Sequence, residues 1–191
     1  MFRKAYINII LGFIISLIKF KVEIFNISYI IGYFLIGYGA AIINESTGSK
    51  NFKIVNDIAI IFVLSLIIFP ILINLTWEII TMVLYMYIEN FYGSIYSTAL
   101  TLIYYSIRFT MVYYIFNGFM EVNVKKFEIG TDKLETIQMF YIITNVICLI
   151  LLSFSINISN VIFMHFLTIL LLIMELFFIA IFYRLTLGKP H

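Results

Sequence analysis

The chain has 191 residues, of which 63% are hydrophobic and only 12% are charged, and its mean hydropathy is +1.09. A soluble domain covers its exterior with polar groups, so this composition excludes an ordinary soluble domain and predicts a protein whose solvent is a lipid bilayer. The net charge of +2, without a block of Lys and Arg interleaved with aromatic residues, argues against nucleic acid as a partner.

Polar breaks separate six charge-poor stretches, which predict an all-α, polytopic membrane protein with six transmembrane helices in a single domain, residues 1–191. Because backbone groups in lipid have no water to bond with, each stretch is expected to be helical. The expected spans are 5–22, 26–43, 57–76, 94–120, 134–156 and 161–184.

The first expected span is the shortest in apolar length, because only 14 residues, Ala5 to Ile18, are uninterrupted. It extends to residue 22 only if Lys19 and Lys21 reach the interface with their long side chains. A re-entrant or interfacial helix is the alternative for this stretch. No small-x-small cleavage pattern follows it, so we expect a retained span rather than a signal peptide.

Basic residues between the stretches decide the expected orientation, since loops rich in Lys and Arg stay on the cytoplasmic side. With the N-terminus inside, nine basic residues lie on the inner side and two on the outer side. The inner residues are Arg3, Lys4, Lys50, Lys53, Lys125, Lys126, Lys133, Arg184 and Lys189, and the outer residues are Lys19 and Lys21. This bias predicts cytoplasmic N- and C-termini, which requires an even number of spans.

Residues 76–91 have the pattern of a helix lying on the outer membrane surface, with Glu78, Thr81, Tyr85 and Glu89 at helical spacing on one face. As a functional element, this outer acidic helix would be a lid that faces a cation or ligand. Two alternatives remain, a plain connector or a third helix that continues past Pro70 with a kink.

The second span has three glycines, Gly32, Gly37 and Gly39, and therefore little side-chain bulk at these positions. Glycine lets neighbouring helices approach closely, and packing drives helix association in lipid. The spacing is not GxxxG, so we expect packing inside the bundle rather than a dimer contact.

Arg108 and Glu175 are the two ionisable side chains deep within the expected spans. Arg108 lies 15 residues after Gly93, and Glu175 lies 15 residues after Asn160, on helices expected to run from outside to inside. At about 1.5 Å per residue both lie roughly 22 Å deep, a little past the bilayer centre. A lone charge there costs roughly 2.5–3.5 kcal/mol, so we predict an ion pair, with Asn145 close enough to hydrogen-bond to either member.

The role of this pair has two interpretations, a ligand or ion site on a transport pathway and an ion pair that fixes helix packing. On the arginine helix Thr101, Tyr104 and Arg108 share one stripe, which favours a polar, aromatic-lined face. The candidate ligand or ion pathway residues are Arg108, Glu175, Asn145, Tyr104 and Thr101.

No sequence motif points to catalysis. HExxH, GxSxG and P-loop signatures do not occur in the sequence, and the single cysteine, Cys148, excludes a disulfide and a cysteine-based zinc cluster. Cys148 and His165 lie in apolar surroundings that provide no third orienting group for a thiol and imidazole pair. We therefore expect a non-enzymatic protein with no catalytic residues, no cofactor and no metal site.

Part of the N-terminal quarter resembles a group of small uncharacterised multi-span membrane proteins of Gram-positive bacteria. The residues that carry the resemblance are Asn8, Gly12, Phe20, Ile27, Ile31-Gly32-Tyr33 and Phe52. The group commonly has proline and aspartate where this chain has Ser28 and Tyr29. The predicted size, span number and cytoplasmic termini also resemble the substrate-capture subunits of energy-coupling-factor vitamin transporters, a likeness of architecture alone.

Together these features predict a small multi-pass protein of a bacterial plasma membrane with a polar mid-membrane site, transport-related, for a ligand or an ion. The alternative is a structural or regulatory accessory membrane subunit, in which the buried charges only fix helix packing. The expected partners are the lipid bilayer, a small-molecule or ion ligand, and a membrane-protein partner.

Overall fold

The described part of the chain forms a bundle of six α-helices with one short β-hairpin. The computed structural model describes residues 2–18, 20–22, 25–84, 92–123, 131–158 and 161–187; side chains are described for fewer residues, which leaves out, among others, those of 73–84 and 92–101. The helices are α1 (Phe2–Leu17), α2 (Ile27–Thr47), α3 (Lys50–Leu84), α4 (Tyr92–Asn123), α5 (Thr131–Ile158) and α6 (Val161–Leu187). The all-helical prediction with six helices is confirmed.

Within the described residues, four segments are long and apolar enough to cross a membrane. They are Ile27–Thr47 in α2, Lys50–Leu72 in α3, Leu134–Phe154 in α5 and His165–Thr186 in α6. The other two helices differ from these for simple reasons. The 16 residues of α1 extend only about 24 Å, and α4 carries Arg108 together with several tyrosines.

The first helix ends earlier than the sequence predicts, at Leu17 rather than at residue 22. Lys21–Val22 and Phe25–Asn26 instead form a two-stranded antiparallel hairpin, with Lys21 opposite Asn26. The Ser28 hydroxyl accepts a hydrogen bond from the backbone N–H of Phe20 at 3.2 Å and donates to Asn26 at 2.8 Å. These bonds and the hairpin pair the segment after Leu17 with the start of α2, so its backbone does not continue the hydrogen bonds of α1.

The third helix continues past Pro70 without a break in the helical assignment and ends at Leu84. A separate outer helix over 76–91 is therefore wrong for 76–84, and the alternative of a continued third helix is the one that the structure contains. Glu78 lies on this part of α3, although its side chain lies outside the described set. Residues 85–91, which include Glu89, lie outside the described residues.

Helices α1 and α2 pack backbone to backbone through glycine. A Cβ atom added at Gly12 would lie 2.5 Å from the carbonyl oxygen of Gly32, and one added at Gly39 would lie 2.5 Å from the carbonyl oxygen of Ala5. The two contacts run in opposite directions along the chain, so the helices are antiparallel. The predicted role of Gly32 and Gly39 in close internal packing is confirmed, and Gly12 of α1 joins them.

The bundle closes because each helix packs against the next and α6 packs against α1. Tyr6 of α1 is buried, and its ring meets three aromatic rings edge-on. Phe52 of α3, Phe119 of α4 and Phe182 of α6 lie 6.4, 6.0 and 5.6 Å from it between centroids. Four helices therefore share one aromatic core around α1.

The outward faces of the helices are apolar. On α6, Ile162, Phe166, Ile169 and Ile173 are each more than half exposed, at 83%, 59%, 56% and 53%. Their spacing places them along one side of the helix. A continuous apolar side of this kind suits contact with lipid chains and not with water.

Candidate functional site

The site is built around Arg108, a residue of α4 whose surface is only 1% exposed. Its Nε atom lies 2.5 Å from Oε1 of Glu175 in α6, whose side chain is 5% exposed. The ion pair predicted from equal depth on two helices is therefore present. Because neither group reaches the protein surface, the two charges neutralise each other inside the bundle.

A second set of contacts joins the guanidinium to α1. Its Nη1 atom donates a hydrogen bond to the hydroxyl of Ser16 at 2.9 Å and another to the hydroxyl of Tyr104, one turn earlier on α4. The Ser16 hydroxyl in turn donates to the carbonyl oxygen of Phe13 at 2.8 Å. One buried side chain thus connects α1, α4 and α6.

The position of Ser16 within α1 adds an electrostatic contribution. It is the penultimate residue of the helix, so Arg108 lies at the end where the backbone carbonyl groups of α1 have no helical partner. Its own carbonyl oxygen accepts a hydrogen bond from the Tyr104 hydroxyl at 3.5 Å. A cation is stabilised at the carboxyl end of a helix, typically by about 0.3–1 kcal/mol and more when partly buried.

Two aromatic rings also contact the guanidinium. Its central carbon lies 5.3 Å from the ring centroid of Phe13 and 5.4 Å from that of Tyr104. Both distances are within the range of a cation–π interaction. Tyr29 of α2 stacks on Tyr104 with centroids 4.6 Å apart, so α2 supports the ring that contacts the arginine.

Of the five predicted pathway residues, the structure brings Arg108, Glu175 and Tyr104 together. Asn145 is buried on α5, but its amide nitrogen donates to the backbone carbonyl of Tyr141, 2.8 Å away on the same helix. The predicted hydrogen bond from Asn145 to the ion pair is therefore absent from the described contacts. A buried amide can be satisfied by its own helix, which equal depth does not reveal. Thr101 lies on α4, and its side chain is outside the described set.

Sequence reasoning missed Ser16 and Phe13 on α1 and Tyr29 and Tyr33 on α2. The site was predicted from ionisable residues within the expected spans, and these four side chains are uncharged at neutral pH and tolerated in apolar helices. Ser16 did carry a signal, since it is one of two uncharged polar groups, with Asn8, in the stretch from Ala5 to Ile18. Tyrosine is too common in this chain, at 14 residues, for any one of them to stand out.

Four helices able to cross a membrane and a closed ion pair inside the bundle define a helical protein of membrane type. The chain matches no protein-family model, no curated protein and no solved structure. Its function therefore has to be inferred from the chemistry of the site.

Proposed function

We propose that this chain is a small, non-enzymatic multi-pass membrane protein in which the Arg108–Glu175 pair fixes the packing of the helices. The observation that supports this role is the closed arrangement of the guanidinium, which contacts side chains of α1, α4 and α6 and is 1% exposed. A structural or regulatory accessory subunit fits this geometry better than a pathway that admits substrate.

The energetic argument is that a charge pair inside a bundle selects one arrangement of its helices. A guanidinium without its carboxylate, or a carboxylate without its guanidinium, is strongly unfavourable in a low-dielectric interior. Any slip of α4 along α6 would separate Arg108 from Glu175, and any withdrawal of α1 would remove Ser16. The arrangement that pairs Arg108 with Glu175 is therefore much more stable than arrangements in which the helices are shifted along one another.

A second candidate function is a ligand or ion site at the middle of the membrane, as part of transport. It is favoured by the position of the ionisable pair, because charged groups at that depth often mark a pathway in transporters. A small-molecule or ion ligand would then have to displace Ser16 or Glu175 from the guanidinium.

The residues that carry the resemblance to small multi-span proteins of Gram-positive bacteria support a packing role. Gly12 and Gly32 leave no room for a Cβ atom between α1 and α2, and Tyr33 and Phe52 are fully buried. We propose that the common feature of the group is this helix packing and not an active site.

The proposed topology has six spans, both termini in the cytoplasm and the plasma membrane of a bacterium as its location. In a variant lacking Cys148, cysteines placed at Lys50 and Lys126 should resist a membrane-impermeant thiol reagent added to intact cells. A cysteine at Glu89 should react, because it lies on the outer side. Labelling at Lys50 or Lys126 from outside contradicts the orientation, and lysed cells provide the control for reactivity at all three positions.

Access to the ion pair distinguishes the two candidate functions. A cysteine replacing Ser16, again without Cys148, should stay unmodified by small, water-soluble thiosulfonates added from either side of the membrane. The thiol would replace a hydroxyl that lies 2.9 Å from Nη1 of Arg108, and a guanidinium favours the reactive thiolate. Protection of this cysteine would therefore show that the packed helices keep the reagent out.

A cysteine replacing Asn51, a partly exposed residue in the first turn of α3, is the matched control and should react from the inner side. Rapid modification of the cysteine at position 16 would show an aqueous path to Arg108. That result would reject the packing role and support the ligand or ion site.

A further inference from the structure

Four buried polar atoms at this place make no hydrogen bond among the described residues. Two of them, Nε of Arg108 and Oε1 of Glu175, face each other 2.5 Å apart as the ion pair, and the other two, Nη2 of Arg108 and the hydroxyl oxygen of Tyr33, have no partner at all within that part of the chain. Arg108, Tyr33 and Glu175 are 1%, 0% and 4% exposed. Buried polar groups are almost always paired, so two unpaired groups next to a buried ion pair call for an explanation.

The Tyr33 hydroxyl belongs to the same enclosed place as the ion pair. The Tyr33 ring meets the rings of Phe62 and Tyr104 edge-on, with centroids 4.5 and 6.3 Å away. The hydroxyl of Tyr104 accepts a hydrogen bond from Nη1 of Arg108, so the Tyr33 ring packs against a direct partner of the arginine. The two unpaired groups therefore come from α2 and α4 and lie at the same place as the carboxylate of α6.

The donor and acceptor types of these groups select the occupant. Nη2 of Arg108 can only donate, Oε1 of an ionised Glu175 can only accept, and the Tyr33 hydroxyl can do either. A halide ion accepts from donors but is repelled by the carboxylate of Glu175 and by the carboxyl end of α1. A water molecule can accept from the arginine and the tyrosine and donate to the carboxylate. Three hydrogen bonds are the usual number for a buried water.

We propose that one buried water molecule binds between Arg108, Glu175 and Tyr33 and links α2 to the ion pair. Arg108 already connects α1, α4 and α6, and the water would add α2 to this connection. This inference rests on the proposed packing role and adds the water as a second partner of the Glu175 carboxylate. It can be tested separately from that role, because the test leaves both Arg108 and Glu175 in place.

The test is the replacement of Tyr33 by phenylalanine, followed by thermal melting in detergent. If the water bridges the Tyr33 hydroxyl to the ion pair, removal of the hydroxyl removes a hydrogen bond, and the unfolding equilibrium constant should rise by roughly fivefold. If the hydroxyl is unpaired, its removal should leave stability unchanged or increase it, which overturns the proposal. Tyr38→Phe, a change on the same helix at a residue that is 53% exposed, is the matched control and should have no effect.

Two further measurements identify the occupant. Replacing chloride by gluconate should not shift the melting temperature of the wild-type protein, whereas a chloride-dependent shift that disappears in Tyr33→Phe would assign the place to a halide and reject the water. A high-resolution experimental structure of the wild-type protein should show a single density peak within hydrogen-bond distance of all three groups. A direct hydrogen bond between Tyr33 and Arg108, without a peak, would also reject it, even if Tyr33→Phe fails to fold.

Discussion

Replacing Arg108 by methionine should lower the free energy of unfolding by about 3–5 kcal/mol or abolish the yield of folded protein. The change leaves the Glu175 carboxylate inside the bundle without its guanidinium, and it leaves Ser16 and Tyr104 without the Nη1 donor. Replacing Glu175 alone by leucine should have a comparable effect, since the arginine then loses its counter-charge. Thermal melting of the purified variants in detergent measures both.

The double variant, Arg108→Met with Glu175→Leu, should recover much of this loss, because apolar side chains of similar size replace the whole pair. Arg184→Met, at an exposed basic residue on α6, is the control and should change stability little. If the two single changes add, the residues do not interact energetically, and the packing role of the pair is wrong. A double variant that folds but behaves unlike the wild type would favour the ligand or ion site.

Replacing Gly32 by alanine should destabilise the protein by about 1–3 kcal/mol, and replacing it by leucine should abolish folded yield. An added Cβ would lie 2.6 Å from the carbonyl oxygen of Gly12 and 2.8 Å from the Cβ atom of Ser16. The first of these is backbone and cannot rotate away, so α1 and α2 must separate. Such a separation also moves Ser16 relative to Arg108.

The neighbouring change Ile31→Ala is the matched control, because the side chain of Ile31 is 46% exposed. It should have little effect in the same melting assay. Gly32→Ala with wild-type stability would mean that α1 and α2 are not in the backbone contact that carries this argument, and the position of Ser16 would then need to be revised.

Depth along a helix was enough to predict one side-chain contact. Arg108 and Glu175 were matched by counting residues from the outer ends of two helices, and their side chains do meet. The count succeeded because a helix rises by a constant amount per residue and because opposite charges in lipid must find each other. The same count failed for Asn145, since an uncharged amide finds a partner on its own helix.

The C-terminal end of α1 and the continuation of α3 past residue 76 were harder to predict. Apolar length suggested that α1 continues towards residue 22, yet it ends at Leu17, because Phe20, Asn26 and Ser28 bond to one another locally. The helical spacing of Glu78, Thr81, Tyr85 and Glu89 predicted a separate helix over 76–91, yet α3 continues through 76 and is described to Leu84. Helix ends depend on local hydrogen bonds that hydropathy does not measure.

The sequence by itself predicted a helical protein of membrane type, the six helices found among the described residues, and the contact of a buried arginine with a carboxylate. These follow from composition, from the obligation of backbone groups to bond within a helix, and from the cost of an unpaired charge in lipid. Only the tertiary structure decided that the carboxyl end of α1 lies against Arg108 and that Tyr33 of α2 comes to the same place. Those contacts depend on the glycine-mediated approach of α1 to α2 and on which faces of the helices meet, and such pairings between distant segments are set by packing and not by any local pattern.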